Sequence, residues 1–182
     1  MAIIKQQKKE FEKPNAGVVP VTIIDVVDLG WQEVDYGQGK TEVEQIRLLW
    51  ILGSKDSSGN QFRIYTKLNK NINFNPKTNK KSRLYEIIEQ VFGAPPGAEF
   101  DDESFIGRSN RAFLVKENGY TNIKGLLPLE PGDVPPTAPA GFVREKDKPG
   151  GIRPRPKTPT ATPTPVAAAA SVGGESNEVS FS

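Results

Sequence analysis

Histidine and cysteine are both absent from the chain. Without cysteine there is no disulfide and no thiolate nucleophile or ligand, and nothing points to an oxidising compartment. Without histidine as well, the Ser-His-Asp and Cys-His nucleophile arrangements cannot be assembled, nor can the common zinc sites. Carboxylate chemistry alone is a weak basis for an enzyme, so the expectation is a protein that is not an enzyme and holds no cofactor or metal. Long apolar runs are missing too. None reaches the roughly 18 residues of a membrane span, and only Ala2-Ile3-Ile4 precedes the first charge, unlike a secretory signal. The expectation is a soluble cytoplasmic protein with no membrane partner.

What the chain has in quantity is proline and glycine, 16 and 17 among 182 residues, crowded after Leu129. That divides the sequence into a lysine-rich flexible arm (1–14), a foldable domain (15–130) and a Pro/Thr/Ala-rich tail (131–182). The domain is long enough for one core without staples. The tail, with TPTATPTPVAAAASVGG, has too little apolar surface to offset its ordering entropy, and disorder is expected.

Net charge is only +2, but its distribution is uneven. From Arg63 to Tyr85 the basic residues Arg63, Lys67, Lys70, Lys77, Lys80, Lys81 and Arg83 occur with no Asp or Glu among them. A second basic stretch, Arg144 to Lys157, is diluted by Glu145 and Asp147. A charge run is often only a solvated face. An acid-free run interleaved with Tyr65 and Phe74 also has the stacking groups that nucleic-acid bases need.

Periodicity assigns the elements. Ala16 to Leu29, rich in β-branched residues, reads as a strand, with Pro20 at an edge or a bulge. Gly30 to Lys40 reads as a turn, placing Trp31 in a loop. Val43 to Leu52 is a second strand with Ile46, Leu48, Trp50 and Leu52 on one face. Gln61 to Leu68 is a third, with Phe62, Ile64, Thr66 and Leu68 on one side and Arg63, Tyr65 and Lys67 on the other. After a polar loop, Ser82 caps a helix from Arg83 to Phe92, ended by Gly93. Arg111–Lys116 and Tyr120–Leu127 follow as strands around an Asn118-Gly119 hairpin turn. Three strands, a helix and two strands is the order of a five-stranded Greek-key barrel of OB type, the expected fold class: mainly β, with the helix between strands 3 and 4. The same elements can also build an open α+β sheet.

The candidate nucleic-acid-binding residues are Arg63, Tyr65 and Lys67 on one strand face, Arg47 on strand 2, Arg111 on strand 4, and Lys40, Lys70, Lys80, Lys81 and Arg83 in or beside the loops. An aromatic between two cations suits base stacking with phosphate neutralisation. Trp50 reads as core. Trp31 reads equally as a stacking group or as a partly buried plug, and Phe74 as a loop anchor or a stacker. Gly37-Gln38-Gly39-Lys40-Thr41 is not a phosphate loop, because Val34 stands where its first glycine is required. Asp101-Asp102-Glu103 reads as a solvated loop rather than a divalent-ion site.

Several pieces together resemble a known family. They are FEKPNAGVVPVTIIDVVDLG (Phe11 to Gly30), IRLLWIL (Ile46 to Leu52), YTKLN (Tyr65 to Asn69), KSRLYEII (Lys81 to Ile88), FIGRSNRAFLV (Phe105 to Val115) and YTNIKGLLPL (Tyr120 to Leu129). The pattern is similar to phage-encoded OB-fold single-stranded-DNA-binding proteins of replication and recombination. The resemblance implies an OB barrel that coats single-stranded DNA without sequence preference in the bacterial host cytoplasm. It also implies a replication or recombination partner recruited through the C-terminal end, ESNEVSFS, which is only faintly similar to the family's acidic tails. The Asn-rich insertion Asn69 to Asn79 departs from the pattern. RNA as the ligand is a further reading. A protein-interaction module of a phage, structural or anti-defence, that grips a host protein is the alternative from another class.

Overall fold

The computed structural model describes residues 11–159. Five long strands, β1 (Gly17–Asp35), β2 (Lys40–Lys55), β3 (Gln61–Asn69), β6 (Ser109–Glu117) and β7 (Tyr120–Leu127), form one sheet in the order β3-β2-β1-β6-β7. All neighbours in it are antiparallel. Three consecutive hairpin-linked strands, with the fourth returning beside the first, make a Greek key. A short hairpin, β4 (Phe74–Asn75) with β5 (Lys80–Lys81), rises from the long Asn-rich loop, and the helix α1 (Arg83–Phe92) follows.

The local signals act as expected. The Ser82 hydroxyl accepts the Tyr85 N–H, and Gly93, at φ 71°, ends the helix with its N–H on the Glu89 carbonyl. Asn118 and Gly119 both take positive φ, 50° and 78°, as a type I′ hairpin turn requires. The core lies on the face of the sheet that α1 covers, where Ile46, Leu48, Trp50 and Leu52 of β2 meet Ile64 and Leu68 of β3, Leu84, Ile87 and Ile88 of α1, and Phe105. Among the described residues, no helix is long and apolar enough to cross a membrane.

Three expectations are corrected. The first strand does not end at Leu29. β1 runs to Asp35 through register shifts at Ile23/Asp25 and Asp28/Gly30, so Trp31 stands on a strand opposite Glu44 and the turn follows Tyr36. Each bulge adds a residue and reverses the alternation of faces. Val21 and Ile23 therefore join Val26 in the core, while Ile24 joins Leu49 and Ile51 on the outer face.

The sheet, secondly, is not closed into a barrel. Its edges β3 and β7 are not hydrogen-bonded to each other, and residues 11–14, expected as part of a loose arm, lie at the seam. Thr121 Oγ1 donates to the Pro14 carbonyl at 2.9 Å, Ser57 N–H to Glu12 at 2.8 Å, and Lys13 Nζ to the Gly119 carbonyl.

The tail, thirdly, packs against the domain over its described part, residues 131–159. It forms a strap over the outer face of β1 and β2. Phe142 packs on Ile24, Leu49 and Ile51. Arg144 Nε donates to Asp25 at 3.0 Å, and the Glu145 N–H donates to the same carboxylate at 2.8 Å. Farther on, Arg155 bridges in parallel to Gly30: Trp31 N–H donates to the Arg155 carbonyl at 2.8 Å and Arg155 N–H to that of Leu29 at 3.0 Å. A Cβ at Gly30 would lie 2.3 Å from the Arg155 carbonyl oxygen, so only glycine admits this approach. A proline-rich composition argues against a segment with its own core. It says little about one held by backbone hydrogen bonds and ion pairs to a surface already built. The C-terminal end expected to recruit partners lies outside the described residues.

Candidate nucleic-acid interface

The pairing of β2 with β3 sets Arg47 opposite Lys67, Leu49 opposite Tyr65 and Ile51 opposite Arg63. Paired residues project to the same side, so these cations and Tyr65 share the outer face. Tyr65 is 54% exposed, and the Arg47 guanidinium lies 4.8 Å from the centroid of its ring. That contact holds the ring while leaving part of it open. Arg47 Nε is buried with no hydrogen-bond acceptor among the described residues. No carboxylate lies within ion-pair distance of Arg47, Arg63 or Lys67 among those residues. Trp50, on the opposite side of β2, is fully buried and donates its Nε1–H to Thr66 Oγ1 at 3.1 Å, which makes it core.

Five other candidate cations are engaged by acids. Lys40 pairs with Glu33 at 2.8 Å, Lys81 with Glu89 at 2.5 Å, and Lys70 with both Asp28 at 2.9 Å and Glu44 at 3.3 Å. Hydrogen bonding to these carboxylates holds the ammonium pKa values of all three lysines above their ordinary value. Arg83 pairs with Glu86 at 3.1 Å and reaches the Ile123 and Lys124 carbonyls. Arg111 pairs with Glu130 and Asp133, on β6 and away from the β2–β3 face. The run from Arg63 to Tyr85 is acid-free in sequence but not in space.

The remaining candidates divide. Lys67, Lys80, Lys81 and Arg83 line one groove of about 660 Å³ together with Tyr36. Tyr36 is 59% exposed and was not marked by periodicity; its position beside Gly37 in a tight turn was the available signal. Phe74 is both anchored and open: it stacks on Tyr85 at 5.7 Å between ring centroids yet stays 43% exposed. Trp31 is half-buried, with Lys157 of the strap 4.7 Å above its ring, so one aromatic face is already occupied by a cation.

No protein-family model, curated protein or solved structure matches the chain. The geometry therefore carries the functional reading by itself.

The acidic turn is more than a solvated loop. Asp101 accepts the Glu103 N–H at 3.0 Å and starts a short 3₁₀ turn, while burial pushes the Asp102 carboxyl up. Glu103 takes two bonds from the Arg144 guanidinium, at 2.6 and 2.9 Å, and one from Lys146 at 3.1 Å. No group of three potential ligands able to hold a metal ion occurs among the described residues.

The bond from Arg144, reinforced by Lys146, lowers the Glu103 carboxyl from 4.5 to about 2. A depressed carboxylate stabilises the folded state above its unfolded pKa and loses that contribution as pH falls through its folded one. The stability difference between the native chain and Glu103→Gln is therefore expected to be full at pH 7. It should shrink from about pH 4.5 downward and vanish near pH 2. Thermal melts of both chains across that range would show it; a constant difference would mean that the Arg144–Glu103 pair contributes nothing.

Proposed function

We propose that this protein is a non-enzymatic single-stranded-DNA-binding protein, its five strands an OB-type barrel left open between β3 and β7. It coats DNA without sequence preference in replication or recombination. The reading rests on one observation: Arg47, Arg63 and Lys67, none paired with a carboxylate among the described residues, share a single two-strand face with the exposed Tyr65, whose ring Arg47 contacts.

On that face the cations neutralise phosphates and release counterions, which makes affinity electrostatic and salt-dependent. Tyr65 stacks on a base, an interaction that tolerates any sequence because every base has a π-face. The groove shared by Lys67 and Lys80 continues the basic surface toward α1. Lys81 and Arg83 contribute there only when a phosphate displaces Glu89 or Glu86.

Titrating fluorescent oligo-dT at several salt concentrations tests this. Binding is expected to weaken linearly in log K against log salt. Arg63→Ala combined with Lys67→Ala should reduce the slope by about 1.4, at roughly 0.7 per single-strand phosphate contact. An unchanged slope would remove these two residues from the interface. Salt-insensitive capture of a host protein, with no oligonucleotide binding, would favour an interaction module instead. Matched oligo-rU as competitor separates DNA from RNA.

A further inference from the structure

The seam left by the unclosed sheet is a groove of about 460 Å³ between β3 and β7, floored by residues 11–14. Four aromatic side chains line it, the half-buried Phe62 and three that are exposed. Phe11 is 79% exposed, Tyr120 68% and Tyr65 54%. Exposed aromatics on one groove cost solvation unless something covers them, and two of these three lie outside the β2–β3 face described above.

Cations accompany them. Lys13 holds its ammonium 5.0 Å above the Tyr120 ring, and Arg63, also on the groove, makes no ion pair among the described residues. The two carboxylates in the lining are occupied at the turn between β2 and β3. Glu12 accepts the Ser57 N–H at 2.8 Å, while Asp56 accepts those of Ser58 and Asn60 at 2.9 and 2.8 Å. Both acids are thus bonded to backbone N–H groups. The chemistry of the groove is flat π-surfaces beside positive charge, which suits a chain of bases joined by phosphates and not an apolar peptide.

We propose that the open seam is itself a binding groove for single-stranded DNA. In it Tyr120 and Phe11 stack successive bases beyond Tyr65, and Lys13 meets the phosphate between them. The strand leaves the outer face of β3 at Tyr65 and crosses to the start of β7. The gap in the sheet then has a use. A closed ladder between β3 and β7 would bring the two edges to hydrogen-bonding distance and exclude a stacked base. This inference rests on the single-strand-binding reading above.

The test compares oligo-dT affinity of the native chain with Tyr120→Ala, Phe11→Ala, the double variant and Tyr120→Phe. Phe113→Ala, at an exposed aromatic on β6 outside the groove, serves as control. Each alanine variant of Tyr120 and Phe11 is expected to bind at least about fivefold more weakly, with an unchanged salt slope because stacking releases no counterion. Tyr120→Phe and Phe113→Ala should bind as the native chain does, and all melting temperatures should agree because the rings are exposed. Native-like affinity in the Tyr120 and Phe11 variants, while Tyr65→Ala is weakened, overturns the groove and leaves the parent reading standing. Absence of oligo-dT binding by the native chain overturns both.

Discussion

Arg144→Ala is expected to lower the unfolding free energy by about 3 kcal/mol, roughly 10 °C in melting temperature, the largest loss of any single surface-segment substitution here. Asp25 is 2% exposed and sits mid-strand on β1; its acceptors are filled by Arg144 Nε and the Glu145 N–H. Removing the guanidinium leaves a buried carboxylate with one neutral donor, and breaking a buried pair from one side costs about 3–5 kcal/mol. The lower end applies because Arg144 is itself 20% exposed. The strap can also peel away and let water reach Asp25, so the loss cannot exceed the whole docking energy of the strap.

A chain ending at Glu130 measures that ceiling. Arg144→Ala should approach it, and Asp25→Asn added to Arg144→Ala should recover part of the loss by removing the stranded charge. In the shortened chain Asp25→Asn should be close to neutral. A full-length Arg144→Ala that melts with the native chain would mean that the ion pairs of Arg144 contribute no stability.

Tyr65→Ala is expected to weaken single-strand binding by about 1–3 kcal/mol, the range found for removing one stacking aromatic. Little stability should be lost. The ring is more than half exposed, its cross-strand neighbour Leu49 is packed in the cluster with Phe142 of the strap, and the lost cation–π contact is worth about 0.5–1 kcal/mol at an exposed site. Tyr65→Phe keeps the π-face and should retain affinity. Lower affinity at constant melting temperature supports the stacking role. Lost stability with affinity intact would instead make Tyr65 a packing residue whose exposure is incidental.

The two substitutions sample opposite kinds of information in the chain. Tyr65 was readable from alternation: β3 runs Phe62, Ile64, Thr66, Leu68 inward without a break, so Arg63, Tyr65 and Lys67 face outward by geometry alone. Trp50 in the core followed from the same period, and α1 from its Ser82 and Gly93 caps and its apolar stripe. These features depend on residues a few positions apart, where covalent geometry dictates which side chains meet.

Arg144 and Asp25 were not readable, because 119 positions separate them and their meeting depends on a bulge. The register shift at Ile23/Asp25 turns Asp25 to the outer face within an apolar run that otherwise reads as all core. The same limit applies to charge. Sequence alone determined that cations concentrate between Arg63 and Arg83. Only the tertiary structure decided that Lys70 and Lys81 meet Asp28 and Glu89 while Arg63 and Lys67 meet no acid among the described residues. It likewise decided that β3 and β7 stay apart and that a proline-rich segment lies down on the sheet. Ion pairing, edge closure and docking are set by distances between elements far apart in the chain, and periodicity carries no information about those distances.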